Sequence, residues 1–258
     1  MSTEFYKVYP AAENSTVSHL FKVAKWMHTI EPKVGYRYNP RVDQNDLPVF
    51  DEVDRISYAN QITYGITQRL VGKPMNEGVG SGPFEYAKLN IFQSYSFGDP
   101  FETDSNGKGR YFSDIQAELW WNFSPYVSAQ ADAGFSPYRG SFNVLNGLIN
   151  VKDRRNDALQ IQYRYTKDST KEINFDARVK TISPLYIFGS LRYNLLDNWR
   201  VESIYGAELQ AQCWMLGFVV EDWGRSPDGT QKKELKFQLY FTLLNFGSVG
   251  HKPYQMAL

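Results

Sequence analysis

The chain has 258 residues with 28 basic and 28 acidic side chains, so it carries no net charge and no basic patch of the kind that binds nucleic acid. Its mean hydropathy is −0.47 and no apolar run approaches the ~18 residues of a membrane helix, which excludes helical spanning and leaves spanning by strands open. Aromatic residues make up 16% of the chain, a bias that suits either the girdles of a membrane β-sheet or the core of a large β-sandwich.

At this length the chain can be one large all-β domain or two smaller ones. Cys213 is the single cysteine, so no disulfide can close within the chain. The amino terminus, MSTEFYKVYP, has neither a charged n-region nor an apolar h-region. It reads either as a cytosolic start or as a chain that lacks its true beginning.

In chain order, EFYKVYP (Glu4 to Pro10) reads as a short strand and AAENSTVS as a turn. HLFKVAKWM (His19 to Met27) fits a strand or a short helix, and continuity with the next run favours strand. Ile30, Pro32, Val34, Tyr36 and Tyr38 then alternate with Glu31, Lys33, Gly35 and Arg37. After a polar, proline-marked loop, Ile62, Tyr64, Ile66 and Leu70 alternate with Gln61, Thr63, Thr67 and Arg69. A strict period of two means extended backbone with one apolar and one polar side.

VGKPMNEGVGSGP is expected to be a loop. Phe84 to Phe97 alternates again, with Ala87, Leu89, Ile91, Tyr95 and Phe97 opposing Lys88, Asn90 and Ser94. The polar segment GDPFETDSNGKGRYFSD is rich in turn formers, among them Asn106-Gly107. Ile115 to Phe123 and Val127 to Phe135 read as two strands joined by a tight turn at Pro125. Phe142 to Val151, Leu159 to Tyr165, Phe175 to Ile182, Leu185 to Leu195 and Trp199 to Leu209 follow as strands. Gln212 to Glu221 is expected as a strand with Trp214, Leu216, Phe218 and Val220 on one face and Cys213, Met215 and Gly217 on the other. The last strand is expected over Leu235 to Phe246, with Leu235, Phe237, Leu239, Phe241 and Leu243 opposing Lys236, Gln238, Tyr240 and Thr242.

About a dozen strands of ~9–11 residues result, whereas sandwich strands average about 5–6. That length, with a small and polar second face, points to an antiparallel transmembrane β-barrel. The expected lumen side carries Glu31, Lys33, Arg37, Gln61, Thr63, Arg69, Lys88, Glu118, Asp132, Gln160, Gln162 and Arg164.

No enzyme chemistry emerges. None of His19, His28 and His251 stands in a strand beside a plausible nucleophilic serine, no G-x-S-x-G elbow occurs, and each histidine is expected in a loop or at an interface. The acidic stretch Asp43, Asp46, Asp51, Glu52 and Asp54 offers oxygen ligands for calcium or magnesium but lacks the spacing of a known loop motif. A solvated loop is expected there, with no metal and no cofactor. A general porin and a lipid hydrolase are the other readings of such a barrel, and the second lacks its residues.

The run DRISYANQITYGITQR (Asp54 to Arg69), with TIEPKVGYRYNPRVDQNDLPVFD before it, resembles the carboxy-terminal domain of the LptD family, outer-membrane lipopolysaccharide-assembly proteins also called organic solvent tolerance (OstA) proteins. LQIQYRY (Leu159 to Tyr165) is similar to the family's L-x-Y-R-Y strand, and the closing PYQMAL to its P-Y-Q-x-x-L tail. The resemblance implies that residues 1–258 are the carboxy-terminal part of a larger barrel in the cell outer membrane. A signal peptide and a periplasmic jellyroll would precede that barrel in the family and are not seen here. It implies a non-enzymatic role in placing lipopolysaccharide in the outer leaflet, with an LptE-type lipoprotein plug and an LptA-type periplasmic bridge as partners. Leu235, Phe237, Leu239, Phe241 and Leu243 would then lie on one lip of a lateral gate. The family's adjacent cysteine pair falls at Gln212-Cys213, which makes Cys213 a possible disulfide position with one cysteine of the pair missing.

Overall fold

The computed structural model describes residues 3–11, 21–43, 57–75, 82–155, 157–243 and, for the backbone, 247–249. The chain is all-β. Its strands are β1 (Phe5–Pro10), β2 (Val23–Asn39), β3 (Ala59–Pro74), β4 (Phe84–Ser96), β5 (Glu102–Thr103), β6 (Gly109–Arg110), β7 (Ile115–Ser124), β8 (Val127–Ser136) and β9 (Ser141–Lys152). They continue as β10 (Ala158–Thr166), β11 (Thr170–Ile182), β12 (Leu185–Asn194), β13 (Trp199–Gln210), β14 (Trp214–Trp223), β15 (Glu234–Leu243) and β16 (Gly247–Val249). All but β5 and β6 belong to one sheet in which neighbours follow chain order. The expected dozen long strands correspond to β2–β4 and β7–β15, each of 9 to 17 residues. Contacts divide the chain into two compact units, Met1–Trp121 with Asp132–Asn143, and Asn122–Ala131 with Val144–Leu258.

In the first unit the antiparallel register sets the two faces. Tyr36, Ile62 and Tyr95 form one row across β2, β3 and β4, and Pro32, Ile66 and Ile91 another. The intervening positions place Glu31 opposite Thr67 and Arg37 opposite Gln61 on the polar face. Pro32 lies past Ile30, where the pairing with β1 ends, so β2 has a partner on one side only, a position at which a strand tolerates proline. Three departures from the expected elements occur here, and one expected turn is found in place at Asn106-Gly107. The expected strand from His19 begins at Val23, and residues 12–20 lie outside the described residues. Val71–Pro74, expected as loop, complete β3 because they pair back onto Val23–Met27. The polar segment after β4 closes into the β5/β6 hairpin, where Gly107 takes φ +77° and Asp104 Oδ1 accepts the amides of Asn106 and Lys108. Those bonds, the one from Lys108 foremost, hold the Asp104 carboxyl below its usual range. His28, expected in a loop or at an interface, stands inside β2 with its Nε2 3.2 Å from Gln68 Oε1.

In the second unit the same alternation runs through β9 to β15. Ile161 pairs with Ile149 and Phe175 on the apolar face, and Gln162 with Leu148 and Asn174 on the other. That other face is not polar throughout, as the composition led one to expect. Phe188, Ile204, Met215, Val219 and Tyr240 form a buried cluster on it. Glycine makes the cluster possible. The Tyr240 ring lies over Gly217 and the Phe188 ring over Gly206, at distances where an added Cβ would collide. Gly217→Val therefore costs about 1–3 kcal/mol through overpacking. Gly147→Val, where an added Cβ meets open space, stays within about 1 kcal/mol, and urea titration of the two variants checks the contrast.

Two further corrections fall in this unit. Cys213 is exposed in the turn before β14 and is not on a strand, since β14 begins at Trp214. The strand expected to be last, Leu235 to Phe246, ends at Leu243 as β15, with residues 244–246 outside the described residues. It is followed by β16, which pairs Gly247–Val249 with Phe241–Leu243.

Candidate functional site

The candidate site is the pair of faces that the strands present, because among the described residues no three His, Cys, Asp or Glu side chains gather as a metal centre. Of the acidic stretch only Asp43 lies among the described residues, and His19 and His251 lie outside them.

On the polar face of the first unit, Arg69 Nε is 3.1 Å from Glu31 and its Nη1 3.5 Å from Glu85, and Lys33 Nζ is 3.4 Å from Glu31. Thr67 Oγ1 donates to Asn90, whose Nδ2 donates to Glu118, both at 3.0 Å. Thr63 and Ser94 hydroxyls are 2.7 Å apart, and Lys88 lies over the Trp120 ring. In the second unit Gln160 donates to Asn150 at 2.8 Å, Asn174 to Gln162 at 3.1 Å, and Arg164 to Glu172 at 2.7 Å. Of the residues expected on the lumen side, Glu31, Lys33, Arg37, Gln61, Thr63, Arg69, Lys88 and Glu118 thus share the polar face of the first unit, and Gln160, Gln162 and Arg164 that of the second. Most are tied across strands, as a wet wall of a sheet requires of charges that are partly withdrawn from water.

Sequence reasoning missed the strongest polar cluster. Glu208, 4% exposed, accepts from Arg178 Nη2 at 2.8 Å and from the Tyr240 hydroxyl, while Arg178 stacks over Tyr186. Arg178 and Glu208 stand on β11 and β13 with β12 between them, so no local pattern announces the pair.

The opposite face is apolar and open. Ile149, Leu159, Val179, Ile187, Leu216 and Phe218 in the second unit are each more than a third exposed, as are all five residues expected at the gate, with Leu239 at 68%. Exposed apolar area on this scale marks a surface that is covered by something other than water. The few polar groups on the same face of the first unit satisfy one another, as His28 does with Gln68 and the Tyr64 hydroxyl does by donating to Gln93 at 2.6 Å.

In the first unit aromatic residues bound this face at both ends. At one end Phe21, Trp26, Phe84 and Tyr86 contact one another edge to face, with the Tyr86 hydroxyl donating to the Phe21 carbonyl. At the other end Tyr95 packs with Phe97, Tyr111 and Phe112 beside the exposed Tyr36. From Trp26 to Tyr36 the strand rises about 33 Å at ~3.3 Å per residue, and a strand tilt of ~40° reduces that to about 25 Å. Membrane strands carry an apolar band of about this height between aromatic girdles.

The LptD family model, described as LPS transport system D, matches residues 14–199. The chain belongs to the LptD family. It is similar to the LPS-assembly protein LptD of Burkholderia cenocepacia, 24% identical over 272 residues that cover 88% of this chain and 32% of the relative. The LptD of Aromatoleum aromaticum is 26% identical over 251 residues, covering 89% and 30%, and that of Methylococcus capsulatus 22% over 248 residues, covering 74% and 23%. The chain spans about a third or less of the length of these curated relatives. The family match takes in β2 to β12 and ends at Trp199, the first residue of β13, so β1 and β14 to β16 lie outside it.

Proposed function

We propose that this LptD-family chain spans the outer membrane as part of a β-barrel that places lipopolysaccharide in the outer leaflet, a transport role without covalent chemistry. The observation that carries the proposal is the exposed apolar face about 25 Å high between two aromatic groups, a surface that lipid would cover. Exposed alkyl and aryl side chains on one side and cross-linked charges on the other suit hydrocarbon outside and water inside. β15 would be one lip of a lateral gate, with β16 pairing, among the described residues, with Phe241–Leu243. An LptE-type lipoprotein would occupy the lumen, and an LptA-type bridge would deliver the lipid through parts of the protein beyond this chain. Depletion of the protein is expected to stop lipopolysaccharide reaching the cell surface. Unchanged surface lipopolysaccharide with reduced solute uptake would instead favour a general porin.

Orientation follows from the connections. In the first unit the long ones, 40–58 and 97–114, leave the same ends of their strands, and in the second the longest, 224–233, is opposite the turn at 211–213. Membrane barrels keep short turns in the periplasm and longer loops outside. Cys213, the single exposed thiol, then faces the periplasm. With reductant present, a membrane-impermeant maleimide is expected to label it only after the outer membrane is permeabilised. Labelling in intact cells would reverse the orientation.

A further inference from the structure

Three polar side chains stand together on the apolar face of the first unit, beside the aromatic group at Trp26. β1 pairs with β2 so that Lys7 is opposite His28 and Tyr9 opposite Trp26, which puts Lys7 on the same face as His28. His28 pairs in turn with Leu70, and Gln68 with Ile30, so Gln68 joins them there. Lys7 and His28 stand about 7 Å of strand inside the level of Trp26, at ~3.3 Å per residue. The Lys7 ammonium is turned back toward the aromatic end, 5.2 Å from the centre of the Tyr9 ring. A long cationic side chain on a lipid face takes this course to bring its charge to the interface.

The face is hollowed at this place. Tyr9, His28, Gln68, Leu70, Leu89 and Leu119 line a groove of about 460 Å³. From β1 to β7 its lining passes from Tyr9, His28 and Gln68 to Leu89 and Leu119. The bond between His28 Nε2 and Gln68 Oε1 uses one atom of each. The Gln68 amide nitrogen, the second ring nitrogen of His28 and the Lys7 ammonium have no hydrogen-bond or ion-pair partner among the described residues. A donor that faces hydrocarbon without an acceptor is costly, so donors gathered at one place require an acceptor there.

Charge narrows what that acceptor is. Glu31 and Glu85 hold Arg69 on the opposite face, and no described residue places a carboxylate beside Lys7. Lys22 and Lys25, exposed at the start of β2, add positive charge at the same end. A fitting occupant is negative, offers an acceptor to Lys7 and Gln68, and has an alkyl chain for the leucines. A phospholipid whose one phosphate carries its only charge meets all three conditions. A zwitterionic head would bring a second ammonium up to Lys7 with no carboxylate to receive it.

We infer that Lys7, His28 and Gln68 bind the phosphodiester of an anionic glycerophospholipid whose acyl chain lies in the groove toward Leu89 and Leu119, an assignment that rests on the reading of this face as lipid-covered. With the long connections outside, the Trp26 end is periplasmic, and the lipid belongs to the leaflet on that side.

The test is equilibrium binding of phosphatidylglycerol to the purified full chain in an uncharged detergent, compared with phosphatidylethanolamine, diacylglycerol and glycerol 3-phosphate. A basic residue at an anionic lipid head contributes about fivefold in affinity. Lys7→Gln is therefore expected to weaken phosphatidylglycerol binding about fivefold, and Lys7→Gln/Gln68→Leu at least ~10-fold, with diacylglycerol binding unchanged. Lys7→Arg should bind like the parent, which separates charge from folding. Phosphatidylethanolamine should bind about fivefold more weakly than phosphatidylglycerol, and glycerol 3-phosphate should not compete. Tyr64→Phe/Gln93→Leu removes another polar pair on the same face and should change binding less than ~2-fold. Unchanged affinity in Lys7→Gln/Gln68→Leu, an equal loss in the Tyr64 and Gln93 variant, equal affinity for phosphatidylethanolamine, or competition by glycerol 3-phosphate would each overturn the assignment. Ile66→Arg, in the row of Pro32 and Ile91 on the same face, reports the lipid cover separately through unfolding in liposomes. A destabilised Ile66→Arg with no preference for phosphatidylglycerol sinks the binding site alone, and a fully tolerated Ile66→Arg sinks the reading of the face on which it rests.

Discussion

Arginine in place of Ile161 or Leu239 is expected to cost about 2–4 kcal/mol, the range for a cation on the lipid face near the bilayer midplane. Ile161 stands between Ile149 and Phe175 in the middle of an apolar row, and Leu239 beside Phe218 is more than two-thirds exposed. In a water-soluble protein an exposed leucine accepts arginine within about 0.5 kcal/mol, so the size of the effect reports the solvent on that face. Gln162→Arg, one residue along on the polar face, forfeits the bond from Asn174 and costs about 1 kcal/mol. Reversible urea unfolding in liposomes measures all three variants. Equal costs at Ile161 and Gln162 would mean that the two faces meet the same medium.

Arg178→Met should destabilise by about 3 kcal/mol, because it strands the Glu208 carboxylate in a site that water scarcely reaches. Removing one partner of a buried ion pair costs about 3–5 kcal/mol, and the lower figure applies because the Arg178 side chain is itself 20% exposed. Arg178→Met/Glu208→Leu is expected to recover most of the loss, since apolar residues of similar volume replace a buried pair at little cost. Tyr240→Phe keeps the ring over Gly217 and removes only the hydroxyl donor, for about 1 kcal/mol. A double variant no more stable than Arg178→Met alone would show that Arg178 acts through its stacking on Tyr186 and not through its charge.

Both expectations depend on features of different legibility. That Ile161 and Gln162 face opposite ways follows from the sequence alone, since the covalent geometry of an extended chain turns successive side chains to opposite sides. The same rule placed Glu31, Arg69 and Arg164 on one side of their strands and the five apolar residues of β15 on the other. Resemblance in the Asp54–Arg69 run added the family, although Asp54 to Ile56 themselves lie outside the described residues.

What the sequence could not supply is which residues meet across strands. The Arg178–Glu208–Tyr240 cluster joins three strands through a register that no local period encodes, and the aromatic rings over Gly206 and Gly217 turn part of an expected wet face into a core. Gln212 and Cys213 extend the alternating pattern of β14 on paper, but the chain must reverse there, so Cys213 stands in a turn. The same holds for β16, whose three residues fold back on Phe241–Leu243. The aromatic excess signalled girdles without saying where they lie. Only the pairing of β2, β3 and β4 set one group near Trp26 and the other near Tyr95, because height along a sheet is a property of register and not of composition.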